Sequence, residues 1–133
     1  MIPEEVRTFL RDYIDSYEGL EVLLLLRRVR TAWTTEALCA RLKTSATLID
    51  RTLATLVRAR LVNSANQNVP TSYTYAEEDE TRDAILCALD RAYREEPIEV
   101  IQLMSTNAIE RLRTGAIRAF ADAFILRKDK DRG

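Results

Sequence analysis

A chain of 133 residues is long enough for one domain, alone or with a helical extension. Apolar residues make up 47% of it and charged residues 31%, a balance typical of a globular protein and not of a long disordered tract. The lack of histidine and the wide separation of the two cysteines, Cys39 and Cys87, argue against a zinc site and a disulfide framework. We expect both thiols to be reduced and buried.

Charge is unevenly distributed along the chain, although the formal net charge is only −1. Residues 34–75 carry five basic and two acidic side chains. Residues 76–110 carry three basic and ten acidic side chains, and residues 111–133 carry seven basic and three acidic ones. A dedicated nucleic-acid binder is normally basic overall, so the total counts against such a partner. The distribution nevertheless places a basic segment next to an acidic one.

Residues 1–30 predict two helices. Pro3 suits the first position of a helix, and apolar side chains recur every three or four residues up to Ile14. Ser16 can cap a second helix that is apolar nearly all round from Leu20 to Leu26, which indicates burial on most sides. We expect these helices to pack on the rest of the chain or on a second copy of it.

Residues 31–76 have the outline of a winged helix-turn-helix. The elements are Trp33 on a short strand or turn, a helix over 35–43 capped by Thr34, a turn at Thr44–Ser45, a helix over 46–60, and strands at Leu61–Val62 and Tyr73–Tyr75. Capping residues, apolar periodicity and β-prone runs indicate this order. The turn-rich residues from Asn63 to Pro70 are expected to join the two strands.

The 46–60 helix divides by angle into an apolar and a polar side. The apolar side holds Ile49, Leu53, Leu56 and Val57, and the polar side holds Thr47, Arg51, Ala54 and Arg58. The second helix of such a unit often enters the major groove of DNA. The candidate DNA contacts are therefore Arg41, Lys43, Ser45, Thr47, Arg51 and Arg58.

A solvated or protein-binding face is the alternative for this helix. Asp50 lies on its flank and would repel phosphate unless Arg41 or Arg51 pairs with it. The hairpin offers hydrogen-bonding side chains at Asn66, Gln67 and Asn68, but the sequence has no Lys or Arg between Arg60 and Arg82.

Residues 77–133 predict a helical extension. One helix opens at Glu77–Glu80, a short helix begins at Pro97, and a last helix runs from its cap at Asn107 to about Lys128 with Gly115 inside it. The first two helices and the last one hold more apolar side chains than a 45-residue winged helix can bury. They either pack within the chain or meet a second copy, and a homodimer is the favoured prediction.

Membrane and catalytic functions have little support in the sequence. No charged-then-apolar leader opens the chain, and the longest apolar run, Val22–Leu26, is too short to span a bilayer, so we expect no membrane partner and a cytoplasmic location. Because the chain lacks histidine and any Gly-rich phosphate loop, we also expect no enzymatic activity, no cofactor and no metal.

Three segments resemble a group of small uncharacterised bacterial proteins of the winged-helix or MarR-like type. The segments are Ile2–Arg7, Leu20–Arg27, and Phe120–Phe124 with Leu126–Lys128. This resemblance covers nearly the whole chain and implies a dimeric DNA-binding regulator. The basic, arginine-tipped wing common in MarR proteins has no counterpart between Asn63 and Ser72.

The sequence therefore predicts a mainly α fold, with a winged helix-turn-helix, a small two-stranded β-wing, and flanking N- and C-terminal helices. The predicted function is that of a transcriptional regulator that binds double-stranded DNA through the 46–60 helix. A winged helix that binds a protein partner without DNA is the alternative.

Overall fold

The computed structural model describes the backbone of residues 1–66 and 70–131, and the side chains of these residues as far as 123. The elements in chain order are α1 (Glu4–Tyr13), α2 (Tyr17–Arg28), α3 (Thr35–Leu42), α4 (Ala46–Arg58), β1 (Val62–Ala65), β2 (Ser72–Tyr75), α5 (Glu80–Glu95) and α6 (Pro97–Asp131). This mainly helical architecture with a two-stranded antiparallel sheet confirms the predicted fold class. No helix within the described ranges is both long enough and apolar enough to cross a membrane.

Side-chain caps begin the helices that build the centre of the fold. Ser16, Thr34 and Ser45 each accept a hydrogen bond from the backbone N–H three residues further on, at 3.0, 3.1 and 3.3 Å. Such caps satisfy donors that a helix start leaves free. The three caps agree with the sequence prediction, whereas the cap of α5 by Asp79 was not predicted.

Helix α2 is the centre of the hydrophobic core. Its residues from Val22 to Leu26 are at most 6% exposed, and the helix contacts both α4 and β2. Helix α1 packs against α5 and α6, and α5 also contacts α6. The apolar run of α2 is therefore buried inside its own chain and does not need a second copy.

The hairpin leans on the segment before α3. Val62 lies opposite Tyr75 and Ala65 lies opposite Ser72 in the antiparallel register. Trp33 extends this pairing, because its N–H donates to the Tyr73 carbonyl at 2.9 Å and its carbonyl accepts from the Tyr73 N–H at 2.7 Å. The predicted strand or turn at Trp33 is confirmed, and it supports a hairpin that would be marginal alone.

Several predicted boundaries were wrong. The first strand runs from Val62 to Ala65, so it continues into the segment predicted as a turn. Backbone conformation explains the errors at two helix ends. Lys43 and Arg60 have positive φ values of 55° and 63°, the left-handed conformation that commonly ends a helix. The 35–43 helix therefore stops at Leu42, and the 46–60 helix stops at Arg58.

The predicted division of the C-terminal part at Asn107 was also wrong, because α6 runs without interruption from Pro97 to Asp131. A capping residue starts a helix only where the preceding chain is not already helical. The residues from Ile98 to Thr106 include no Pro or Gly that would break a helix, so the helix continues through Asn107.

The two thiols are not buried as predicted. Cys39 is half-buried and Cys87 is exposed on α5. Cys39 still packs against the hydrophobic core, whereas Cys87 lies beside the apolar stripe of α5, next to the buried Leu86. The apolar spacing in the sequence does not distinguish these two environments.

Candidate nucleic-acid interface

One side of helix α4 is buried in the core, and the opposite side is exposed. Ile49, Leu53 and Leu56 are at most 1% exposed and pack toward α2 and α3. Thr47, Arg51, Ala54 and Arg58 are all exposed. These four positions follow at intervals of four, three and four residues, so they form one stripe about 16 Å long. We call them the outer stripe of α4.

The other three predicted contacts lie where α3 meets α4. Arg41 is in the last turn of α3, Lys43 ends that helix, and Ser45 begins α4, and all three side chains are exposed. The Ser45 hydroxyl accepts from the Leu48 N–H at 3.3 Å and keeps its own proton for a further acceptor. All six predicted residues are thus on the surface, within one continuous stretch of chain.

The arginines of this surface differ from those elsewhere in how they are paired. Across residues 1–66 and 70–123, no carboxylate oxygen lies within 4 Å of a charged nitrogen of Arg41, Lys43, Arg51 or Arg58. In contrast, Arg27, Arg28 and Arg30 at the end of α2 all pair with acids of other segments. The positive charges on α3 and α4 are therefore available to an outside partner.

Asp50 is held by a hydroxyl and not by an arginine. The Thr35 Oγ1 donates to Asp50 Oδ1 at 2.8 Å. The carboxylate is thus kept toward the start of α3, although it still places one negative charge on the flank of α4.

The hairpin places polar groups next to the end of the outer stripe. An open hollow of about 440 Å³ lies between α4 and the two strands, and Arg58, Ser64, Asn66 and Tyr73 are among its walls. Sequence reasoning did not single out Ser64 or Tyr73, because their distance from Arg58 depends on how the hairpin packs. The predicted wing residues Gln67 and Asn68 lie outside the described residues.

A network of charged groups fixes the hairpin to the helical body. The Tyr75 hydroxyl donates to Asp83 Oδ1 at 2.6 Å, and Arg27 Nε donates to the same oxygen at 3.0 Å. Arg30 lies 5.2 Å above the Tyr75 ring and 3.5 Å from Asp83 Oδ1. Asp83 therefore joins β2 to α2 and α5.

The pKa values of this network have definite causes. The hydrogen bond from Tyr75 and the Arg27 guanidinium hold the pKa of Asp83 below its ordinary value. Burial, together with the hydrogen bond to Asp83, raises the pKa of Tyr75 to about 12. At neutral pH the carboxylate is thus charged and the phenol keeps its proton.

Comparison with known proteins gives structural but no sequence relatives. No protein-family model matches the chain, and no curated protein matches it. The fold is similar to that of reduced HlyU from Vibrio cholerae, at 20% identity and a TM-score of 0.51, over 68% of this chain and 88% of HlyU.

Two further solved structures cover more of this chain. The adhesin competence repressor AdcR from Streptococcus pyogenes matches at 16% identity and a TM-score of 0.52, over 86% of this chain and 82% of AdcR. A mutant of S. aureus MepR bound to an oligodeoxyribonucleotide matches at 12% identity and a TM-score of 0.52, over 90% of this chain and 88% of MepR. At such low identity these likenesses establish the fold, that of a winged-helix protein.

Proposed function

We propose that this chain is a transcriptional regulator of the MarR-like winged-helix type that binds double-stranded DNA through the outer stripe of α4. The observation that carries the proposal is the unpaired, exposed Arg51 and Arg58 on a helix whose opposite side is buried, among the side chains that the structure describes. Helix N-termini and arginine side chains are common contacts to phosphate. Such a regulator would act on DNA in the cytoplasm.

The structural neighbours support this proposal. AdcR is described as a repressor, and MepR is described in complex with an oligodeoxyribonucleotide. In this chain, the six predicted contacts Arg41, Lys43, Ser45, Thr47, Arg51 and Arg58 are exposed along the helix-turn-helix. A winged helix that binds a protein is the competing function, favoured by the net charge of −1 and by the lack of basic residues between Arg60 and Arg82.

A duplex titration separates the two functions. We expect labelled random duplex DNA to bind at low salt, with an affinity that falls on a log–log plot with a slope of about −3 to −4 for each chain that contacts the duplex, because roughly four cations of one chain face phosphates. Arg51→Ala and Arg58→Ala should each lower the affinity about tenfold. The measurement is fluorescence anisotropy across a salt series.

The matched control for this titration is Arg91→Ala, which removes an exposed arginine from α5 and not from α4. Its duplex affinity should equal that of the unchanged chain. Failure of the duplex to bind even at low salt would reject DNA binding and leave the protein-binding function.

We propose further that the regulator is a homodimer joined by α6. Six large apolar side chains of this helix are 42–76% exposed: Ile98, Ile101, Ile109, Leu112, Ile117 and Phe120. All of these but Ile117 fall, together with Ala116, within about 100° of the helix circumference, opposite the side at Val100 that packs on the body. We call these five residues and Ala116 the outer stripe of α6. Exposed apolar patches of this kind mark interaction sites.

A further inference from the structure

A second concave site lies between the start of α2 and the helix-turn-helix, apart from the outer stripe of α4. This cavity has a volume of about 230 Å³, and its walls include Tyr17, Glu18, Glu21, Arg41, Leu42 and Ile49. It joins the helical body to the end of α3, where one of the proposed DNA contacts lies.

Opposite charges line this cavity without pairing. Glu18 and Glu21 are three residues apart on α2, so both carboxylates lie on one side of the helix. Arg41 reaches the cavity from α3, and neither carboxylate comes within 4 Å of its guanidinium among the side chains that the structure describes. The space between these charges is open to a ligand that carries both signs.

One of the carboxylates is fixed in position. The Tyr93 hydroxyl donates to Glu21 Oε1 at 2.7 Å. Burial first, and then hydrogen bonds with Tyr17 and Glu21, raise the pKa of Tyr93, so the phenol remains a donor throughout the physiological range. Glu21 keeps its second oxygen for another partner.

Three other walls are mainly apolar, and Thr44 completes the lining with a hydroxyl that donates to the Leu42 carbonyl at 3.2 Å. Ile49 is fully buried beneath it, Leu42 is half-buried, and the ring of Tyr17 stands at its edge. A ligand therefore meets an aliphatic surface beside the charged groups. The volume suits a small aliphatic molecule and not a drug-sized one, because drug-sized ligands fill cavities of roughly 300–1,000 Å³.

We infer that this cavity binds a small zwitterion, an α-amino acid with an aliphatic side chain. Its ammonium pairs with Glu18 and Glu21, its carboxylate pairs with Arg41, and its side chain lies on the half-buried Leu42. A simple amine would leave Arg41 as a repulsive neighbour, and a simple carboxylate would meet two negative charges. Only the zwitterion satisfies both ends.

Binding has a consequence for DNA that rests on the proposed function. Arg41 is one of the proposed phosphate contacts, and a ligand carboxylate paired with its guanidinium removes that contact. Occupancy of the cavity therefore lowers the affinity for duplex DNA, and bound duplex lowers the affinity for the ligand by the same factor.

Calorimetric titration of the whole chain with L-leucine tests the site. We expect saturable binding of L-leucine, and binding at least about tenfold weaker for 3-methylbutylamine and for 4-methylpentanoate, which lack its carboxylate and its ammonium respectively. Arg41→Gln should weaken L-leucine about tenfold, and Glu18→Gln should do likewise. Arg41 is exposed and Glu18 is half-buried, and neither side chain makes an ion pair with another described residue, so folding should be retained.

The matched control is Arg91→Gln, which removes an exposed arginine of α5 outside the cavity and should leave L-leucine affinity unchanged. The proposal is overturned if L-leucine does not bind, if the amine binds as tightly, or if Arg41→Gln has no effect. If the chain does not bind DNA, the duplex titration shows this separately, because the calorimetric titration with L-leucine contains no DNA. Unchanged duplex affinity at saturating L-leucine would overturn the link through Arg41.

Discussion

At the scale of the residue, the arginines at the end of α2 and those of α4 have different surroundings. The arginines at the end of α2 form ion pairs with acids of α5. Arg27 and Arg30 pair with Asp83, and Arg28 pairs with Asp90. The arginines of α4 have no such partners among the described side chains. The arginines at the end of α2 therefore stabilise the fold, and those of α4 are free for recognition.

Asp83→Asn should lower the free energy of unfolding at neutral pH by about 1–3 kcal/mol, because the Arg27 guanidinium would face an uncharged amide. The folded-state pKa of Asp83 is depressed, so its contribution is full above the ordinary carboxylate value near ~4 and is lost as pH falls through the folded-state pKa. The difference in the free energy of unfolding between the variant and the unchanged chain should therefore shrink at a pH below the folded-state pKa of Asp83. Urea unfolding at neutral and acidic pH measures this difference.

The control for Asp83 is Asp12→Asn, whose carboxylate pairs with Arg11 on the exposed surface of α1. Exposed pairs contribute about 0–1 kcal/mol, so this variant should unfold almost as the unchanged chain does. A stability loss for Asp83→Asn that is the same at neutral and acidic pH would contradict the role of its charge.

At the scale of the element, local signals in the sequence were enough to predict most helices and the outer stripe of α4. The caps Thr34 and Ser45 act through backbone groups three residues away, and the sides of α4 follow from the helical repeat alone. These interactions lie within one turn or one helix, so sequence spacing determines them. The continuity of α6 was missed because Asn107 carries a local capping signal inside a run that is already helical.

Interactions between elements could not be predicted in this way. The pairing of Arg27 with Asp83 joins residues 56 positions apart, and the cavity walls come from α2, α3 and α4. From the sequence alone, the arginines at the end of α2 are explained by the helix dipole as well as by ion pairs with distant acids. Only the packing angle between helices decides which acids they meet.

Gly115→Ala should stabilise α6. The position lies inside the helix, and a Cβ placed there meets no atom within 4 Å. Replacing an interior helical Gly with Ala gains about 0.5–1 kcal/mol, which corresponds to a rise of about 2–5 °C in Tm. Thermal unfolding followed by far-UV circular dichroism measures this change.

Gly19→Ala is the matched control, because its Cβ would meet the Ser16 Oγ at 3.1 Å and disturb the cap of α2. This variant should have an unchanged or lower Tm, although Ala is the better helix former. If both substitutions raise Tm equally, the contacts of the two glycines do not determine the change in Tm, and the prediction is contradicted.

At the scale of the whole molecule, the protein buries its N-terminal helices and exposes the outer stripe of α6. The N-terminal helices are covered by their own chain, since Leu10 and Leu23 are fully buried. The outer stripe of α6 projects away from this body with its large apolar side chains exposed. An apolar side chain offers on the order of 100 Å², so the five large side chains of the stripe supply about 500 Å², more than half of the roughly 800 Å² per partner of a standard interface.

The spacing of the stripe also indicates what kind of surface would cover it. Ile98, Ile109 and Phe120 are eleven residues apart, and Ile101 and Leu112 are again eleven apart. Eleven residues make three turns of about 3.67 residues, so the stripe runs nearly straight along the helix. A second straight helix of the same kind fits such a surface, and a second copy of this chain provides one.

Leu112→Glu should convert the proposed dimer to a monomer, because it places a charge at the middle of the stripe in each copy. Light scattering should give twice the 15.3 kDa of one chain for the unchanged protein and 15.3 kDa for the variant. Circular dichroism should be nearly unchanged, since Leu112 is 75% exposed and makes no part of the core.

Ile117→Glu is the matched control for this substitution. Ile117 is 62% exposed on the same helix but lies outside the stripe, about 60° round the axis from Phe120 at its edge, so the dimer should persist. A mass of one chain for the unchanged protein at micromolar concentration would reject the homodimer. A dimer that survives Leu112→Glu would place the contact on another surface, and duplex titration of the same variant would then show whether the outer stripe of α4 acts alone.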